Sequence, residues 1–125
     1  MLLFLGLALV VYLGQDMMVY VPKVPNMKDM SPSLFGFFED KGDYVDTFIP
    51  TRDGERLHAW CFHADGPTPA PTMIYFHSNA GNITHRLPYL RGLLDEVRIN
   101  VILFDYRGYG TSSGKPSEAG LKIDG

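Results

Sequence analysis

Two short segments of this 125-residue chain hold residue types that can do chemistry. His77-Ser78-Asn79-Ala80-Gly81-Asn82 places small and amide side chains directly behind an apolar run. Such a stretch leaves main-chain N–H groups uncovered at a helix start, where they can stabilise an oxyanion. Asp105 to Lys115 is glycine-rich and contains Gly110-Thr111-Ser112-Ser113-Gly114, a letter-for-letter match to G-x-S-x-G. A nucleophilic serine in that pattern must sit on a sharp turn from strand straight into helix. Here the apolar strand is expected to end near Phe104, and Lys115-Pro116 intervene before the next helix. Ser112 is therefore expected to be a turn residue that mimics a nucleophile, and no catalytic residue is assigned within the chain.

The remaining candidates point to structure. The histidines are His58, His63, His77 and His85; none follows Ser112 and no H-x-x-x-H pair occurs, so no metal site is expected. Cys61 is the one cysteine, which excludes an intramolecular disulfide and a cysteine-rich zinc site, and it is expected to pack as a small hydrophobe. Asp105 and Arg107 are expected to pair and anchor their loop. Asn82-Ile83-Thr84 is a glycosylation sequon in letters only, since a glycan there would crowd a helix start. Neither G-x-G-x-x-G nor a Walker lysine motif is present, so no nucleotide or other cofactor is expected. Eleven basic residues against 14 acidic ones, net −3, argue against a nucleic-acid partner.

Positioning these loops requires a sheet. Val45–Ile49 is β-prone and closed by Pro50, and Asp53-Gly54 is a hairpin signal. In 57–63, Leu57, Ala59, Cys61 and His63 share one face while His58, Trp60 and Phe62 share the other. Thr72–His77 and Asn100–Phe104 are continuous apolar runs, expected as strands buried on both faces. Between them Ile83, Leu87, Leu90, Leu94 and Val97 recur with helical spacing, and Pro88 restricts that helix to a start nearby. Strand, helix and strand make a βαβ unit with locally parallel strands. Both candidate loops then leave the carboxyl ends of those strands, where such sheets hold ligands. The fold class is α/β.

Residues 2–14 carry no charge, and the first basic residue is Lys23. As a helix this run covers about 20 Å against a bilayer core of about 30 Å, and Met17 to Val21 extend its apolarity. With no preceding base and no small-residue cleavage site, a single-pass membrane anchor over 1–21 is expected, with membrane lipid as its partner. A cleaved signal and a buried core helix remain open. Residues 22–43 are expected to form a proline-punctuated linker whose Phe35, Phe37 and Phe38 dock either on the following domain, 44–125, or on the membrane surface.

One series of motifs carries a family resemblance. Gln15-Asp16 is followed by Tyr20-x-Pro22, then Thr51-Arg52-Asp53-Gly54, then Tyr75-Phe76-His77-Ser78-Asn79-Ala80-Gly81-Asn82 and His85-Arg86-Leu87-Pro88. Asp105-Tyr106-Arg107-Gly108-Tyr109-Gly110 and Pro116-Ser117-Glu118-x-Gly120-Leu121 complete it. The series resembles the membrane-anchored abhydrolase-domain proteins of the α/β-hydrolase superfamily and covers Gln15 to Asp124. Ser78 stands where that family usually has glycine. The resemblance implies the front portion of a serine-hydrolase fold acting on acyl, ester or lipid-like substrates. It places Asn79 as an oxyanion-hole donor through its backbone N–H, with His77, Gly81, Asp105 and Arg107 shaping the loops. It also places Gly110–Gly114 ahead of the nucleophile's own strand. Three readings follow: the front of a membrane-tethered hydrolase, inert as written; a non-catalytic binding module; or a small βαβ protein that binds an anion.

Overall fold

The computed structural model describes residues 2–66 and 68–125, with side chains from Phe4 onward. Met1, in the expected anchor, and Pro67, in the expected 65–71 loop, lie outside the described residues. Helix α1 covers Leu2–Val19, strand β1 Tyr44–Pro50, β2 Arg56–Phe62, β3 Thr72–Phe76, helix α2 Leu87–Glu96, strand β4 Asn100–Phe104 and helix α3 Glu118–Asp124. The strands form one sheet in the order β1-β2-β4-β3. β1 and β4 both run antiparallel to β2, and β3 lies parallel to β4 with Thr72 opposite Asn100 and Phe76 opposite Phe104. The α/β class and the parallel βαβ unit expected from the apolar runs are present.

The alternation in β2 sorts the core as the period-2 pattern requires. Trp60 and Phe62 pack with Val101, Leu103, Ile83, Leu87 and Leu90 under α2. Leu57 and Ala59 pack with Phe104 on the opposite face. Phe37 from the proline-rich segment is buried in the first cluster, edge-on to Phe62 at 4.8 Å. Residues Ile83–Arg86 form a 3-10 turn before α2. Pro88 explains the break, because its ring opposes the carbonyl four residues back and it has no N–H to donate. It sits in the first turn of α2, where both defects are harmless.

Two expectations need correction. β3 is covered on one face only: Met73 and Tyr75 pack on the core, whereas Ile74 and Phe76 are 54% and 53% exposed. Its apolar run reflects a second face left open among the described residues. Likewise, no described helix is long and apolar enough to cross a membrane, so the expected single-pass anchor lacks support. What α1 does show is an apolar surface open on all sides, with Phe4, Leu5, Leu7, Leu9, Val10 and Leu13 all exposed.

Candidate functional site

The 77–82 loop leaves β3 with its carbonyls turned to fixed donors. Tyr106 Oη–H donates to the His77 carbonyl at 3.0 Å. His77 Nδ1 lies 2.7 Å from the Ser78 carbonyl, which can only accept, so this nitrogen carries the proton. The Asn79 carbonyl accepts from Tyr109 Oη–H at 2.9 Å and from the Val21 N–H at 2.9 Å. Arg86 donates to the Ala80 carbonyl at 2.5 Å and to Ser78 Oγ at 2.9 Å. Burial pushes the Tyr109 hydroxyl up to about 12, so it stays a donor across the physiological range.

In a trans peptide the N–H points opposite the carbonyl. With the Ser78 carbonyl aimed at the buried His77 ring, the Asn79 N–H points away from it. Among the described residues the amides of Ser78, Asn79 and Ala80 have no acceptor. Ser78 causes no backbone strain, since Asn26 is the only described non-glycine residue at positive φ. The left-handed position falls on Gly81, φ 72°, where a Cβ would also collide with His85 Nδ1.

Asp105, at the end of β4, pins the far end of the loop. Its Oδ1 accepts from the Ile83 N–H at 2.9 Å and lies 3.3 Å from His77 Nε2. Its Oδ2 lies 3.9 Å from His58 Nδ1, while His58 Nε2 meets Asp46 at 3.0 Å. Burial raises the Asp105 pKa, but His58 and His77 outweigh it and the net shift is downward. Burial alone would lower the His58 pKa; the two carboxylates outweigh it and the net shift is upward. Ser112 sits beneath this group, accepting from the His58 N–H at 2.9 Å and donating to the Asp105 carbonyl at 2.9 Å.

The expected Asp105–Arg107 pair does not form. Arg107 is taken instead by Asp53 of the hairpin turn, at 2.8 and 3.1 Å, and by Asp124 of α3, at 2.7 and 2.8 Å. Its side chain is 8% exposed and that of Asp124 is 0% exposed, so Arg107 locks hairpin and helix to the β4 loop, while Asp105 serves the 77–83 loop. The Asn82 side chain is buried, donates to Asp29 at 2.7 Å and caps the 3-10 turn, which hides the sequon amide. Cys61 is half-buried in β2, an inner strand of the sheet, between Val45 of β1 and Ile102 of β4.

Sequence reasoning missed Tyr106, Tyr109, Arg86 and Val21 as loop-holding groups. For the tyrosines and Arg86 the signal was available: a loop with this many carbonyls needs donors, and these are the hydroxyl and guanidinium groups flanking it. For Val21 no local pattern foretells a contact so far along the chain.

No family model matches the chain. Over 122 residues it is 37% identical to the alpha/beta hydrolase domain-containing protein WAV2 of Arabidopsis thaliana, covering 95% of this chain and 38% of that protein. Over 83 residues it is 46% identical to protein bem46 of Schizosaccharomyces pombe, covering 66% of this chain and 28% of that protein. An esterase of Pyrococcus furiosus, Pf2001, superposes with a TM-score of 0.63 at 29% identity, covering 85% of this chain and 38% of the esterase. The chain belongs to the α/β-hydrolase superfamily. An α/β hydrolase of Vibrio vulnificus shares the fold at TM-score 0.62 and 19% identity. This α/β-hydrolase chain spans between 28% and 38% of the length of the proteins named, in keeping with a front portion of the fold.

Proposed function

We propose that this chain supplies the oxyanion-hole loop of a serine-hydrolase-type site for acyl, ester or lipid-like substrates, with the Asn79 N–H as one donor. The observation that carries the reading is the Ser78 carbonyl turned onto His77, which leaves the Asn79 N–H outward and unpaired. Donors fixed in this way stabilise charge as it develops without reorganising, which is the larger part of such catalysis. Ser112 is structural in this reading, because its hydroxyl is spent between β2 and Asp105. No described serine, Ser112 included, stands on a turn from strand directly into helix, and in this reading the chain alone is inert toward esters. The exposed apolar surface of α1, continuous around the helix, favours association with a lipid surface, since a helix apolar all round needs an apolar solvent.

Methylphosphonate, an oxyanion of the right shape, tests the loop. Its addition is expected to shift the amide resonances of Ser78, Asn79 and Ala80 and leave those of β2 in place; resonances that do not move would remove the oxyanion reading. A fluorophosphonate probe tests inertness. No labelling is expected, and labelling abolished by Ser112→Ala would overturn it.

A further inference from the structure

The foot of α1 is built into the same loop. Val21 donates its N–H to the Asn79 carbonyl at 2.9 Å, and its own carbonyl accepts from the Gly81 N–H at 3.0 Å. Together these make a parallel bridge between Val21 and Ala80. Asn79 Nδ2 adds a third bond, to the Val19 carbonyl at 2.6 Å. The sequence explains why Val21 is available. α1 ends at Val19, and the residue before a proline is driven out of the helical region into extended backbone, as Val21 is before Pro22. A β-branched residue held extended is a ready strand partner.

We propose that Val19–Val21 is a positioning splint for the 77–82 loop, and that uptake of α1 by a lipid surface tightens it. The proposal rests on the oxyanion and lipid readings of the preceding section for its functional meaning, though not for its geometry. Three bonds at a surface are weak by themselves. α1 makes its link to the body at this foot, and its apolar side chains are exposed, so in water the helix is free to pull the splint away. A lipid surface that takes up α1 ends the free motion of its exposed apolar side chains in water, which removes the pull on Val21 and favours the bonded state. The Asn79 carbonyl is then fixed by Val21 and Tyr109 together, and the peptide ahead of it by His77. Val21 and the Asn79 side chain are positioning groups, acting on the reacting atoms only through the loop amides.

The full chain in phosphatidylcholine bicelles allows the test. Amide exchange at Gly81 reports the splint, and exchange at Asp105, which donates to the His58 carbonyl at 2.9 Å, reports the fold. Val21→Pro, which removes the donor, and Asn79→Asp, which removes the side-chain N–H at constant shape, are each expected to speed Gly81 exchange by roughly three- to tenfold. Asp105 exchange should hold, the methylphosphonate shift at Asn79 should weaken, and Val21→Ile should behave as the parent. Unchanged Gly81 exchange in both variants overturns the splint. If Val21→Pro also loosens Asp105, Asn79→Asp decides, because it alters only an exposed side chain. Phosphatidylcholine vesicles test the coupling: binding, read by co-sedimentation, should slow Gly81 exchange in the parent and less so in Val21→Pro. Binding without slowing overturns the coupling. Absence of binding overturns the lipid reading and the coupling with it, while the splint is still judged by the variants.

Discussion

His77 Nδ1 and the Ser78 carbonyl oxygen lie 2.7 Å apart, joining a buried ring to the peptide that follows it. That contact sets the direction of the Asn79 N–H, because the peptide is rigid and its two polar groups point opposite ways. A histidine inside a catalytic-looking loop invites assignment as a base. Here one ring nitrogen is committed to a carbonyl and the other faces the buried Asp105 carboxylate at 3.3 Å. The ring orients the loop and leaves no nitrogen for substrate.

His77→Phe keeps the ring volume and removes the donor. The Ser78 carbonyl loses its partner and Asp105 loses a neighbouring ring nitrogen. The bond is only part-buried and Ser78 is exposed, so its loss should cost about 0.5–1.5 kcal/mol and lower the urea midpoint. The Asn79 amide should also stop responding to methylphosphonate. A variant that is less stable yet responds as the parent would show the ring to be packing alone.

Ser112→Ala should act on stability only. The lost hydroxyl bridges the His58 N–H and the Asp105 carbonyl, so the expected cost is about 1–3 kcal/mol, read from urea unfolding. Fluorophosphonate labelling should be absent before and after the change. A variant as stable as the parent would mean that the bridge carries no weight and that the serine is free for another role.

The parts of the fold legible in the sequence are those where one face meets one core. Leu57 and Ala59 separate from Trp60 and Phe62 because successive strand residues face opposite ways, and Ile83, Leu87 and Leu90 share a stripe over β4. Val97 left that stripe because α2 ends at Glu96. Ile74 and Phe76 read as core because apolarity records a need for cover, whatever supplies the cover. The two loops were placed correctly at the strand ends, but their partners were not. Asp105 and Arg107 are close in sequence, yet each is claimed by remote groups, Ile83 and His77 for one and Asp53 and Asp124 for the other. Contacts of that kind are set by the assembled fold and leave no local pattern.

The charges around Asp105 predict how stability varies with pH. His58, with an ordinary value of 6.5, is shifted upward, so its contribution is complete below that value and is lost as pH rises through the folded one. Asp105, with an ordinary value of 3.8, is shifted downward, so its contribution is complete above that value and is lost as pH falls through the folded one. Asp53, held down by hydrogen bonds from Arg107, acts in the same acidic direction. Stability should therefore peak between about pH 4 and pH 6.5 and decline on both sides. Urea midpoints from pH 3.5 to pH 8.5 check this, and His58→Phe should flatten the alkaline decline. Stability that keeps rising from pH 6 to pH 8 would contradict the assignment.

The open face of β3 predicts behaviour in solution. β3 is the last strand of the sheet, and Ile74 and Phe76 stand exposed along it. An apolar strand with an unpaired edge is a template for pairing with other chains. The chain should bind a hydrophobic dye and sediment as aggregates even in detergent that shields α1. Ile74→Lys puts a charge on the solvent side of that strand without touching Met73 or Tyr75, which face the core. It should lower both signals while leaving the β2–β4 amides protected. A parent chain that melts sharply and binds no dye would show that this face is already covered.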